Sequence, residues 1–216
     1  MALSDENVCA RWLIDASGRS SVLARRFGIK RERDQPLIAL YARSESTGLD
    51  QRTCIEAVPN GWWYSAPLPD ERRIAALHVT PEQAQKVLKD AHGWLAQLEQ
   101  THHIQANSCA SQWAQPQACE AGGSYLKCVS GDQWLAIGDA ALTCDPLSSQ
   151  GIFNALYSAM RGAQAVRAGL EGKADSLKHY TGQLLSVRQA YVRNLDFYYR
   201  NEQRWADQAF WLARQQ

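Results

Sequence analysis

A run of four apolar residues, Trp134-Leu135-Ala136-Ile137, halts at Gly138-Asp139, and a helical periodicity of apolar and small residues begins at Gly151. Such a short unbroken run predicts a strand buried on both faces, as in a parallel or mixed sheet covered by helices. After Gly151, residues Ile152, Ala155, Leu156, Ala159, Ala163 and Val166 recur at spacings of three and four. This predicts a helix that buries that stripe and ends between Gly169 and Gly172. Near the start, Trp12-Leu13-Ile14 reads as a strand ending at Asp15-Ala16-Ser17-Gly18, with Ser20 or Ser21 capping a short helix that stops near Gly28.

Between Pro36 and Thr80 the pattern turns to β-rich runs, "PLIALYA", "RTCIEAVP", "GWWYSAPLP" and "RRIAALHVT", with Asn60-Gly61 as a hairpin signal. An antiparallel sheet is expected. Thr80 as N-cap, Pro81 at the first helical position and Gln83 at the capping-box position start helices that continue to about His102. The polar stretch Gln105–Gly123 predicts loop or edge strand, and "SYLKCV" and "QWLAIGD" two strands joined by Ser130-Gly131-Asp132. From Asp175 onward, Leu184, Val187, Tyr191, Leu195 and Tyr198 keep helical spacing. The aromatic residues Phe197, Tyr198, Tyr199, Trp205, Phe210 and Trp211 are expected to pack, because basic residues do not interleave them in a base-stacking stripe.

Composition narrows the function classes. With 23 Lys+Arg against 22 Asp+Glu in 216 residues, there is no basic footprint for nucleic acid and no polybasic membrane patch. No apolar run approaches the roughly 20 residues of a membrane span, and "MALSDENVC" has neither the basic nor the apolar region of a signal peptide. The six cysteines contain no C-x-x-C pair, which predicts reduced thiols and a cytoplasmic protein. Cys109, Cys119 and Cys128 beside His102-His103 match no zinc-knuckle spacing, so no metal is expected.

The chemistry gathers around Gly138–Ile152. A carboxylate at the C-terminal end of a buried strand points into the crevice where α/β sheets bind ligands. Asp139 then accepts from hydroxyl groups, Gly138 admits a ligand close to the backbone, and Pro146 stiffens the crossing to a helix at Gln150-Gly151-Ile152 whose free N–H groups and dipole face the same place. This combination suits a polyol chain ending in a ring that becomes anionic on reduction, the flavin end of FAD. A helix N-terminus over that ring favours the reduced anion by about 1–2 kcal/mol, some tens of millivolts for a two-electron couple.

On these residues the sequence resembles the flavin-dependent monooxygenases of the aromatic hydroxylase and tryptophan halogenase superfamily. "IGDAALTCDPLSSQGI" is similar to their segment around the ribityl chain and isoalloxazine. The resemblance assigns Asp139 to the ribityl hydroxyls and the backbone of Gln150, Gly151 and Ile152 to the pyrimidine edge. "LIDASGRSSVLARRFG" resembles a strand-turn-helix of that fold whose turn, here Ala16-Ser17-Gly18, lies near the cofactor. "GWWYSAPLP" takes the place of a substrate-domain strand, and "YYRNEQRW" with "FWLAR" resembles the C-terminal helical region of some members. The family's G-x-G-x-x-G turn for the FAD pyrophosphate has no counterpart in these 216 residues. The expectation is therefore the C-terminal portion of such an enzyme, inactive as an isolated fragment.

The implied fold is α/β (α+β): a partial Rossmann-like FAD-binding domain with an inserted antiparallel substrate sheet and C-terminal helices. Expected parts are 1–34 and 126–172 for the FAD domain, 35–125 for the substrate sheet with helices, and 173–216 for the helical end. The implied activity is hydroxylation of an aromatic substrate, free or a tryptophan-like side chain of a partner protein, through a flavin C4a-hydroperoxide. An N-terminal FAD-binding segment or a flavin reductase is an expected partner. Halogenation fits less well: Trp62-Trp63-Tyr64-Ser65-Ala66-Pro67 keeps only the first Trp and the Pro of the halogenase W-x-W-x-I-P strand, and Ser149-Gln150-Gly151 replaces their Ser-Thr-Gly. Halogenation, isoprenoid reduction and a non-catalytic binding module stand as alternatives. Trp62 and Tyr64 divide evenly between pocket wall and core. Cys144 is expected to be a buried hydrophobe, and His78, His92 and His179 have no assigned role.

Overall fold

The computed structural model describes residues 9–45, 51–69, 71–90, 92–107 and 112–215. In chain order the elements are β1 (Leu13–Asp15), α1 (Val22–Arg26), β2 (Arg31–Arg33), β3 (Ile38–Glu45), β4 (Cys54–Val58), β5 (Gly61–Pro67), β6 (Arg72–Val79), α2 (Pro81–Lys89), α3 (Gly93–Glu99), α4 (His103–Asn107), β7 (Gln117–Glu120), β8 (Ser124–Leu126), β9 (Ser130–Gly131), β10 (Trp134–Ala136), β11 (Leu142–Thr143), α5 (Gly151–Leu170), α6 (Ser176–Asn201) and α7 (Ala209–Leu212). They form two units, residues 1–33 with 123–193 and residues 34–122 with 194–216. Helices combined with antiparallel sheets make the mixed α/β architecture expected from the sequence. No described helix is long and apolar enough to cross a membrane.

In the first unit, β1 pairs parallel with β10, Leu13 opposite Trp134 and Asp15 opposite Ala136, and β9 adds an antiparallel edge. A second small sheet has the order β11-β8-β2. All three residues of β10 are buried, as an unbroken apolar run requires. Helix α5 packs on this strand with a different face from the expected one. Asn154, Ser158, Gly162 and Ala165 are buried, whereas Ile152 is 81% and Leu156 68% exposed. The reason is proximity. A Cβ on Gly162 would stand 2.9 Å from Ile137 Cγ2 and 3.1 Å from Leu135 Cδ1, so only a small residue fits where the helix meets the strand. Tyr180 of α6 is fully buried, donates to the Ala136 carbonyl at 2.6 Å, and has its phenol pushed well above the ordinary tyrosine range by burial.

The second unit is a five-stranded antiparallel sheet of order β4-β5-β6-β3-β7. Helix α2 starts as its sequence predicts, Thr80 Oγ1 accepting from Gln83 N–H at 3.3 Å with Pro81 at the first turn. Helix α4 extends into the stretch expected to be loop. Its N-terminus is capped by a buried strand residue, Glu56, whose carboxylate accepts from the N–H groups of His102, His103 and Ile104. Pleating divides the Trp pair. Trp63 faces the core with Trp94, Leu98 and Ile104, while Trp62, 2% exposed, stacks on His78 and donates to Tyr199 Oη at 3.2 Å.

Two expectations shift here. The β4–β5 turn is Pro59-Asn60, and Gly61 is already paired with Val58. Gly61 is required because a Cβ there would lie 2.0 Å from the His78 carbonyl oxygen. Of the C-terminal aromatics, Tyr199, Phe210 and Trp211 are buried together, but Phe197 and Tyr198 are 60% and 57% exposed.

Candidate functional site

The first unit holds a cleft of ≈ 470 Å³ lined by Ala16, Gly18, Ile137, Gly138, Asp139, Gly151, Ile152 and Ala155. Three segments distant in sequence supply it: the turn after β1, the turn after β10 and the start of α5. Of the residues singled out from sequence, Ala16, Gly18, Gly138, Asp139, Gly151 and Ile152 meet there. Ser17, Pro146 and Gln150 are exposed and lie off the lining.

The first turn is built by Asp15. Its Oδ2 accepts from Leu23 and Ala24 N–H at 2.9 and 3.1 Å, and its Oδ1 from the backbone and hydroxyl of Ser17. Ser17 Oγ in turn accepts from Val22 N–H at 2.8 Å. Burial pushes the Asp15 carboxyl up, but the Ser17 hydroxyl and the N–H groups of Ala24, Ser17 and Leu23 outweigh it and hold the group below the ordinary aspartate value. Asp15 and Ser17 therefore do the capping expected of Ser20 or Ser21. Ser21 has a left-handed φ of 43° and its hydroxyl donates instead to the Ala140 carbonyl.

The second turn opens with Gly138 at φ +55°, a conformation that favours glycine. Its N–H donates to Ser158 Oγ at 2.8 Å, and that hydroxyl donates to the Asn154 carbonyl at 2.6 Å. Asn154 also donates from Nδ2 to the Leu142 carbonyl at 2.8 Å. The polar face of α5 thus satisfies the backbone around the turn. Asp139 is half-buried, and among the described residues no hydrogen bond or ion pair engages its carboxylate. Its carbonyl is held by Arg31 Nη2 at 2.6 Å and Thr143 Oγ1 at 3.1 Å.

At the third segment Gln150 caps nothing with its side chain, and the first ladder bond of α5 runs from Asn154 N–H to the Gln150 carbonyl. The N–H groups of Gly151, Ile152 and Phe153 have no acceptor within the described residues. The loop before them is fixed by Asp145, whose Oδ1 accepts from Leu147 N–H and whose own N–H donates to Tyr191 Oη, both at 2.9 Å. Cys144 is buried, as expected, and off the cleft.

Asp139 and Gly151, which carry an acceptor and a donor without partners among the described residues, thus line one concavity with the apolar Ile137, Ile152 and Ala155. That set fits a ligand with hydroxyls at one end and a flat, partly polar ring at the other. Trp62 is not an open pocket wall, because His78 and Tyr199 cover it; Tyr64 is half-buried. Arg31, Ser158, Tyr180 and Tyr191 carried no local sequence signal, since each acts on a segment far along the chain. Among the described residues no three His, Cys, Asp or Glu are placed to hold a metal, and Cys109 lies outside them.

No family model matches the sequence. The chain is 30% identical over 215 residues to the Marinomonas mediterranea protein named FAD-dependent oxidoreductase LodB, covering 97% of this chain and 58% of that one. The flavin-dependent halogenase CmlS superposes with a TM-score of 0.83 at 21% identity, over 95% of this chain and 40% of its own. The peptidyl tryptophan dihydroxylase QhpG, essential for tryptophylquinone cofactor biogenesis, gives a TM-score of 0.80 at 23% identity, over 96% and 49%. The chain thus spans 58% of the length of LodB and about half or less of these structures. In sequence the chain is thus similar to an FAD-dependent oxidoreductase, and in fold to a flavin-dependent halogenase and a peptidyl tryptophan dihydroxylase.

Proposed function

We propose that this chain is the flavin-contacting and substrate-sheet portion of an FAD-dependent monooxygenase that hydroxylates an aromatic substrate. The observation that carries the reading is Asp139, which lines the same cleft as Gly151 and Ile152 and whose carboxylate, like the N–H groups of those two residues, has no partner among the described residues. Asp139 accepts from the ribityl hydroxyls. The N–H groups of Gly151 and Ile152 donate to the pyrimidine edge, where the α5 dipole favours negative charge. Ala16, Gly18 and Gly138 let the cofactor approach the backbone, and Ile152 and Ala155 exclude water beside it. Reduced FAD would supply the redox chemistry: with its two electrons and two protons, one atom of dioxygen would go to the substrate and the other would leave as water.

The substrate class is a small aromatic compound or a tryptophan-like side chain of a partner protein. The likeness to a peptidyl tryptophan dihydroxylase supports the second. An N-terminal FAD-binding segment or a flavin reductase is the accompanying partner, and a cytoplasmic location agrees with the reduced thiols of Cys9, Cys54 and Cys128. Halogenation is a second reading, because the bare N–H groups at Gly151–Phe153 also suit a small anion and CmlS has the same fold. The test supplies the full-length protein with reduced FAD, oxygen and saturating chloride or bromide, with free and peptide-bound tryptophan and phenols as substrates. A product heavier by one oxygen and insensitive to halide is expected. A halogen isotope pattern would overturn hydroxylation.

A further inference from the structure

The cleft's two turns are tied together by one guanidinium. Arg31 of β2 donates through Nε to Ser124 Oγ at 2.9 Å, through Nη1 to Ser21 Oγ and the Ala140 carbonyl, and through Nη2 to the Asp139 carbonyl and Thr143 Oγ1, both at 2.6 Å. Ser21 closes the turn that contains Ala16 and Gly18, and Asp139 and Ala140 belong to the turn after β10, so the fork grips both cleft-lining turns. Arg31 holds the Asp139 main chain, and among the described residues the Asp139 side chain has no partner.

We propose that Arg31 is a positioning residue for flavin binding: it fixes the Asp139 peptide so that the carboxylate faces the cleft, and it never touches the ligand. Five donors in one rigid plane suit this task. A lysine ammonium is a point charge that cannot span Ser124, Ser21, two carbonyls and Thr143 at once. The inference rests on the proposed flavin site.

The experiment measures FAD dissociation constants by flavin fluorescence in the full-length protein for wild type, Arg31→Lys, Asp139→Ala and the double variant, together with apoprotein melting temperatures. Each single variant is expected to weaken FAD about tenfold or more. The double should be no more than about twofold weaker than the worse single, because both changes act through one carboxylate. Thr143→Val, which removes one acceptor from the fork, gives a smaller loss that likewise disappears in the Asp139→Ala background. It also keeps the test alive should Arg31→Lys not fold. Wild-type affinity in both Arg31→Lys and Thr143→Val, or losses that add in full to that of Asp139→Ala and follow melting temperature, would overturn the role of Arg31 alone. An Asp139→Ala protein that binds FAD like wild type would overturn the flavin site itself.

Discussion

The indole of Trp62 lies face to face with the imidazole of His78, ring centroids 3.6 Å apart and planes 4° from parallel. His78 is 3% exposed, its Nδ1 has no hydrogen-bond partner among the described residues, and burial pushes its pKa down from 6.5 to about 4. The folded state therefore holds a neutral imidazole where the unfolded chain takes up a proton. Stability is complete above pH 6.5 and falls as pH drops toward 4. At about 1.4 kcal/mol per unit the whole loss is about 3 kcal/mol, roughly two-thirds of it reached by pH 5. Urea unfolding at pH 7.5 and 5 should show this for wild type and a smaller loss for His78→Gln; parallel losses would remove His78 as the cause.

Two glycines give opposite outcomes. Gly61→Ala drives a Cβ to 2.0 Å from a main-chain oxygen and should destabilise the chain by about 2 kcal/mol or more. At Gly151 a Cβ meets nothing within 4 Å on a helical residue, so Gly151→Ala should raise stability by about 0.5–1 kcal/mol. Because Gly151 lines the cleft, the same change should weaken FAD. Melting temperature and flavin titration on one sample check both signs.

Asp139→Ala removes a charged acceptor and should cost about 1.5–3 kcal/mol of FAD affinity in the full-length protein. Cys144→Ala, buried but off the cleft, should leave that affinity nearly unchanged. Fluorescence titration separates them, and equal losses would place the cofactor elsewhere.

The 216-residue chain expressed by itself is expected to be nearly colourless, because it carries no G-x-G-x-x-G turn for the pyrophosphate. Co-expression with a βαβ segment bearing that turn should restore a yellow protein. A stoichiometric flavin spectrum from the chain alone counts against this division of the cradle.

Sequence by itself determined what depends on neighbours in the chain. The apolar run before Gly138, the Thr80-Pro81 helix start, the alternation that parts Trp62 from Trp63 and the Gly-Asp turn that ends the strand are all local chemistry, and each is found in the structure. Tertiary structure decided the rest, because its partners are remote. Periodicity fixed that α5 is a helix but not which side is buried. That was set by the Gly138 N–H and the Leu142 carbonyl, which need Ser158 and Asn154, and by the close pass of Gly162 over β10. In the same way Asp15 became a cap and Ser21 did not, since the Ser21 hydroxyl is engaged 119 positions away at Ala140. The grip of Arg31 on Asp139 spans 108 positions and leaves no trace in composition or spacing, because a guanidinium finds its acceptors only after β2, β8 and the turn behind β10 have come together.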